Sequence, residues 1–365
     1  MNSKKNWGNR PWRVEFHPQP HALPQLVDFA VIGGGFSGLA AALHLKSLAS
    51  SKSVALFEAE TIGSGASGYT GGVALAESAA GDLPGLGDVL AGYQQFIDRH
   101  NLQTDLHLPG CYELSRSNPL PSSPISWNDA GRLAATKVVP GGTIDPGKTV
   151  SELARAAESA GVWILENTAV NEVNFAEKIQ LQTRAGTVQA AKSLFATNAF
   201  ALELSGISGH AAFTTAVLTE PLSGTTLEKI GLADRMPFYT VDLPYLWGRL
   251  LGDAAMFGCG LLFFDDWRGL QTLDIASGGA PEVFDSLEQR VHALHPALAN
   301  VTMTHRWGGP ICISDDWKPV FRKHTQSENC LVLGAFSGHG VVLSVYLGIW
   351  AAEALLGIRP LPDWA

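Results

Sequence analysis

Residues 28–58 read DFAVIGGGFSGLAAALHLKSLASSKSVALFE, and the order of residue types in that stretch decides the fold. Phe29 to Ile32 is a short apolar run without polar alternation, as expected of a parallel strand buried on both faces. Gly33-Gly34-Gly35-Phe36-Ser37-Gly38 fits G-x-G-x-x-G at its end. An Ala- and Leu-rich helix is predicted from Phe36 to about Leu48, and a second strand from Ser53 to Phe57 runs into Glu58. Each part has a physical task. Gly33 allows a tight turn, Gly35 lets a pyrophosphate approach the backbone, and Gly38 lets helix and strand pack closely. The helix start offers N–H groups and the positive end of its dipole to phosphates. Glu58 stands 20 residues after Gly38, where an acid bonds a ribose diol and disfavours a 2′-phosphate. A chance glycine turn would not bring strand, glycines, helix, strand and acid together in this order.

The next stretch separates two dinucleotides. IGSGASGYTGG, residues 62–72, has Gly or Ala at six of eleven positions. A flexible loop has no need to follow a nucleotide-binding strand, whereas close backbone approach to an extended ligand does require small residues there. FAD reaches past its pyrophosphate to a large isoalloxazine ring, and NAD usually needs no second glycine loop. FAD is therefore the expected cofactor.

The rest of the 365-residue chain sets bounds. At 46% hydrophobic and 16% charged it holds enough apolar material for a large core or for two domains sharing an interface. The net charge of −9 is scattered, with no basic stripe of the kind nucleic-acid binding needs. Cys111, Cys259, Cys312 and Cys330 lie far apart and form no metal-type pair, so reduced, mostly buried thiols and a cytoplasmic setting are expected. No apolar run reaches the ~20 residues of a membrane span, and MNSKKNWGNRPWRVEF lacks the apolar centre of a signal peptide. Thr149 to Ala160 reads as a helix and residues 179–189 as a hairpin. Near the end, an apolar strand from Leu331 to Gly334, the corner FSGHG (336–340) and a small-residue helix from Val341 to Leu356 repeat the strand–glycine–helix arrangement.

Taken in order, VIGGGFSGLAAALHL (31–45), GSGASGYTGG (63–72), IDPGKTVSELARAAESAGVWILENTAV (144–170), FATNAF (195–200), LTEPL (218–222), RWGGPICISDDWKP (306–319) and GAFSGHGVVLSVYLG (334–348) give the chain a family likeness. It resembles the D-amino-acid-oxidase-like FAD-dependent flavoproteins, and within them the amine-oxidising branch typified by gamma-glutamylputrescine oxidoreductase. The resemblance implies an α/β fold: a Rossmann-like FAD-binding domain from residues 26–82, 144–214 and 325–365, with an inserted antiparallel-sheet α+β substrate domain from 83–143 and 215–324. Residues 1–25 would be an N-terminal extension. The cofactor would touch Gly33, Gly35, Phe36, Ser37 and Gly38, then Glu58 and Ala59, then Ala66, Ser67, Gly71 and Gly72. Val170, Thr197 and Asn198 would follow. Gly338, His339, Gly340 and Val341 would bring a second helix start against the flavin pyrimidine ring, where a reduced flavin carries negative charge.

The implied reaction is oxidation of a C–N bond: hydride passes from the carbon beside a small amine to flavin N5, and water hydrolyses the imine. Tyr245, Trp247 and Trp307 are pocket candidates, with core aromatics as the bland alternative; His339 is a further catalytic candidate as a donor. The chain also departs from its relatives. Those that oxidise amino acids carry an Arg soon after the Trp-x-Gly segment, but Trp307-Gly308-Gly309-Pro310-Ile311 has none, which favours an amine. Arg249, Arg268 and Arg306 remain as substitutes. Gly68-Tyr69-Thr70-Gly71-Gly72 stands where amine-oxidising relatives often read Gly-Arg-Asn-Gly-Gly. Residues 236–267 hold no Lys to match the oxygen-activating one of sarcosine-oxidising relatives, so the electron acceptor, oxygen or a carrier, stays open. Cys312 lies a few residues out of register with the cysteine that some relatives link to flavin, and a plain buried thiol is expected. The alternatives are a D-amino-acid or glycine oxidase or dehydrogenase, and a flavin-binding protein whose catalytic pocket has decayed.

Overall fold

A computed structural model describes residues 5–364. The first strand, Leu26–Ile32, pairs in parallel with Val54–Phe57 on one side and Gly186–Phe195 on the other. The parallel order extends outward to Trp163–Leu165 and to Ser327–Gly334. Every residue of Val54–Phe57 is buried: Val54 and Leu56 belong to the core that holds the first helix, and Ala55 and Phe57 to a second cluster with Ile179 and Leu181. The hairpin of residues 179–189 forms as Ile179–Thr183 paired antiparallel with Gly186–Phe195, and Val170–Phe175 adds a third strand to it.

The helix Phe36–Leu48 buries all of its first ten residues. It packs between the parallel sheet, the long C-terminal helix Val341–Leu356 and the helix Pro146–Ser159. The last of these starts on Asp145, whose side chain accepts the Lys148 N–H, with Pro146 in the first turn. Small side chains at Ala40, Ala41 and Ala42 allow the crowding.

A second sheet of eight strands runs Met303–Ile313, His210–Pro221, Ala254–Phe264, Trp247–Leu251, Phe238–Thr240, Cys111–Ser115, Arg132–Val139 and Ser126–Asn128. It is antiparallel except where Phe238–Thr240 lies parallel to Cys111–Ser115. The helix Ala280–Leu294 packs on it. The expected seam between residues 214 and 215 falls inside the strand His210–Pro221 of this sheet. Val320–His324, drawn on the substrate side, is instead paired with Ser327–Gly334 at the edge of the parallel sheet.

Residues ahead of the first strand are part of the packed structure. Trp7, Trp12 and Phe16 are buried. The Trp7 ring N–H donates to the Leu270 carbonyl at 3.0 Å, and Gly8 bridges to Trp307 of the second sheet. Among the described residues no helix is long and apolar enough to cross a membrane.

Candidate active site

The two glycine corners and the second sheet enclose one cavity of about 660 Å³. Its floor begins at Gly35, Phe36 and Ser37, at the start of the first helix. The turn there depends on absent side chains. Gly33 has φ +114°, and a Cβ on it would stand 2.5 Å from the Ala196 carbonyl oxygen. A Cβ on Gly38 would stand 2.0 Å from the Gly33 carbonyl oxygen. The hydroxyl of Ser67 accepts the Phe36 N–H at 2.9 Å, tying the second glycine loop to the helix start.

Glu58 closes this turn from below. It accepts the Gly34 N–H at 2.8 Å, the Glu60 N–H at 2.9 Å and the Ser64 hydroxyl at 3.3 Å. Burial pushes its carboxyl pKa up, against the pull of the Glu60 and Gly34 amides. The carboxyl group therefore organises its own loop. Ala59 beside it is exposed. Val170 begins a strand just beyond the Glu166–Thr168 turn, and that turn bonds back to the Glu58 carbonyl through the Thr168 N–H. The Thr197 hydroxyl is buried with no partner, and its backbone N lies 3.4 Å from a Cβ built on Gly33. An orphaned hydroxyl beside a glycine cradle is what a bound dinucleotide would satisfy. Glu58→Ala is expected to weaken FAD retention at least tenfold, since hydrogen bonds to a charged group contribute ~1.5–3 kcal/mol each. FAD lost on dialysis measures it, and retention within about twofold of wild type removes Glu58 from the site.

The late corner is held in a left-handed path, with φ +52° at Ala335, +51° at Ser337 and +90° at Gly338. Neighbours fix it: Asn198 Oδ1 accepts the Ala335 N–H at 3.0 Å, and the Ser337 N–H donates to the Cys312 carbonyl at 3.0 Å. The His339 N–H donates to the Phe336 carbonyl at 2.9 Å, so that amide is already engaged. The donors left to the corner are Gly338, Gly340 and the first turn that opens at Val341. The His339 ring lines the cavity, and its Nδ1 is buried without a partner. Burial pushes its pKa down, so the ring is neutral at pH 7.

The second glycine loop presents Ala66, Ser67 and Gly71 to the cavity, while Gly72 sits behind it against the Ile144 carbonyl. Trp247 lies flat on this loop: a Cβ on Gly71 would stand 2.1 Å from its ring. Tyr69 also lines the cavity, and its ring packs edge-on to Trp7 at 5.1 Å with the Arg10 guanidinium over it. Trp307 reaches the wall from a wholly buried position, donating its ring N–H to the Tyr69 carbonyl at 3.1 Å. Tyr245 stands at the mouth, 40% exposed. The cavity thus draws together Gly35 to Ser37 at the first helix start, the second loop, Asn198, the late corner and all three aromatics, and leaves Gly33, Gly38, Glu58, Ala59, Gly72, Val170 and Thr197 outside its lining.

Arg249 is buried behind the loop, with its Nε donating to the Gly71 carbonyl at 2.5 Å. Arg268 is paired with Glu203 and Asp266, and Arg306 with Asp285 and Glu288. None of the three lines the cavity. Cys312 does, as a buried thiol whose pKa is pushed up to about 12. All four cysteines are free.

Two acids escaped the sequence reading. The Tyr239 hydroxyl donates to Glu77 at 2.8 Å and lies 3.1 Å from Glu113, and all three side chains face the cavity.

The fold and cavity are those of a flavin enzyme. The sequence profile described as FAD dependent oxidoreductase matches residues 28–354. The chain belongs to this family, the DAO family, and is an FAD-dependent oxidoreductase. It is 26% identical over 381 residues to a probable oxidoreductase, OrdL, of Rhizobium meliloti (strain 1021), covering 90% of this chain and 83% of that one. It is 25% identical over 383 residues to gamma-glutamylputrescine oxidoreductase of Escherichia coli (strain K12), covering 90% and 84%. Among solved structures, glycine oxidase from Geobacillus kaustophilus superposes with a TM-score of 0.72 at 19% identity, over 93% of this chain and 97% of that one. L-proline dehydrogenase from P. horikoshii gives 0.72 at 19%, over 93% and 96%. At such identities these two share the fold.

Proposed function

We propose that the chain oxidises a C–N bond of a small amine or N-substituted amine. One observation carries this reading: the cavity lining contains two carboxylates, Glu77 and Glu113, and no Lys or Arg. A substrate carboxylate buried there would have no lining cation to offset its desolvation, and would face the unpaired charge of Glu77. An amine meets neither penalty. Bound FAD supplies the two-electron acceptor for the hydride lost from the carbon beside the nitrogen. The helix start at Phe36, Ser67, the loop to Gly71, Asn198 and the FSGHG corner would hold the cofactor. Trp247 and Tyr245 would place the substrate and keep water out. The division into an FAD-binding part and a substrate part belongs to this reading, and the separate parallel and antiparallel sheets support it. The four free thiols support a cytoplasmic setting.

Anaerobic mixing of the yellow protein with a panel of amines and amino acids tests the assignment. Alkylamines and N-methylalkylamines are expected to bleach the flavin faster than D-alanine or glycine. Bleaching by the amino acids with the amines inert would overturn it in favour of an amino-acid oxidase. A flavin that no member of either class bleaches would point to a binding protein.

A further inference from the structure

Glu77 is a half-buried carboxylate on the wall of a largely apolar cavity, and no cation lies within ion-pair distance of it among the described residues. Glu113, which shares the Tyr239 hydroxyl with it, does have one: Lys137 Nζ at 3.0 Å, reaching in from an exposed position. Burial and the two carboxylates both push the Tyr239 pKa up. The phenol stays protonated and spends its single proton between two acceptors. One full negative charge, on Glu77, thus faces the cavity without a counter-ion. The His339 ring lies edge-on to Tyr239, with centroids 6.4 Å apart, and its buried Nδ1 also lacks a partner. At this end of the cavity Glu77 has no ion-pair partner and the His339 Nδ1 has no hydrogen-bond partner, so an occupant with a cationic or donor group would complete them. An unpaired charge held beside apolar surface is costly unless a ligand neutralises it.

We propose that Glu77, bridged to Glu113 through Tyr239, anchors a protonated nitrogen of the substrate other than the nitrogen that is oxidised, so that the cavity takes diamines. This rests on the amine reading above. The nitrogen on the oxidised carbon forms the new C=N bond with its lone pair as hydride departs, so it must be unprotonated. A nitrogen clasped by a carboxylate is held protonated. One nitrogen cannot serve both ends, and the anchor therefore belongs to a second.

The FAD-loaded protein, kept anaerobic so that each flavin turns over once at most, is dialysed against 1,4-diaminobutane, 1,6-diaminohexane, butylamine and hexylamine. The better diamine is expected to bind at least tenfold more tightly than the monoamine of the same length. Glu77→Gln should bring the two within about twofold while FAD content and thermal midpoint stay near wild type. Glu77→Asp should keep part of the advantage, and Tyr239→Phe should lose part of it. Equal binding of diamines and monoamines by the wild type, or an advantage that survives in Glu77→Gln, overturns the anchor. If Glu77→Gln does not retain FAD, the wild-type comparison together with Glu77→Asp decides. Diamines that bind through Glu77 without bleaching the flavin would sink the amine-oxidation reading and leave the anchor standing. Monoamines that bind and bleach as well as diamines would do the reverse.

Discussion

Gly38→Ala is expected to yield a protein that loses its FAD and unfolds well below the wild type. The added methyl carbon would stand 2.0 Å from the Gly33 carbonyl oxygen and 3.3 Å from a Val31 methyl. The first obstacle is backbone, so no side chain can swing aside. Gly33 cannot retreat, because its positive φ and its approach to the Ala196 carbonyl fix the turn. The helix must therefore lift from the strand by more than an ångström. Its first ten residues are buried, so the shift disturbs packing against the sheet and the C-terminal helix together. Overpacking of this kind costs ~3 kcal/mol, which for a chain of this size lowers the thermal midpoint by roughly 4 °C. The same shift moves the Phe36 amide away from Ser67 and misaligns the helix start proposed to hold the phosphates. Thermal unfolding and the flavin-to-protein absorbance ratio measure both effects. A variant that keeps its colour and its midpoint would show that the turn has slack the structure does not reveal.

That corner was legible because its constraints are local. Strand, glycines, helix and acid lie within thirty-one consecutive residues, and each position has a backbone reason to be what it is. The late corner was legible for the same reason, and the helix Val341–Leu356 begins and ends where its small-residue run does. That the His339 amide is spent inside the turn was not legible, because the turn depends on three left-handed residues that no composition announces. Tyr69 and Thr70 sit among glycines expected at the flavin. The Tyr69 ring finds its packing partners in Trp7 and Arg10, far upstream in the sequence, which no local pattern announces. The cluster of aromatics in WGNRPWRVEF was the available sign that this segment is packed rather than an appendage. Glu77, Glu113 and Tyr239 were invisible for a different reason. They come from three remote segments with no spacing in common: the parallel pairing of Phe238–Thr240 with Cys111–Ser115 sets Tyr239 beside Glu113, and Glu77 joins them through the Tyr239 hydroxyl. Acids in such places read as solvated surface until the sheet is assembled.

Trp307 lines the cavity from a wholly buried position, and Trp307→Ala tests whether it places substrate or supports the cofactor loop. As a pocket aromatic it would place substrate, and its loss would slow flavin reduction while sparing FAD. The structure expects the opposite order. Trp307 is wholly buried, edge-on to Trp12 with centroids 5.5 Å apart, in a small cluster with Leu218 and Met256. Removing a buried Trp costs ~3–5 kcal/mol, the spread reflecting how far the cavity collapses. The Tyr69 carbonyl also loses the donor that pins it. Tyr69 belongs to the short helix Ala66–Tyr69, whose Ser67 bonds the first helix start and whose next residues lead to Gly71 under the cavity. Destabilisation therefore passes directly to the cofactor loop, and Trp307→Ala should lose FAD in step with its thermal midpoint. Tyr245→Ala provides the contrast: the ring is at the mouth, so the amine concentration needed for half-maximal reduction should rise several-fold while FAD content holds. Measuring midpoint, FAD content and the anaerobic reduction rate for both variants separates a wall from a floor. A Trp307→Ala protein that keeps its midpoint and its FAD but reduces slowly would return Trp307 to the substrate.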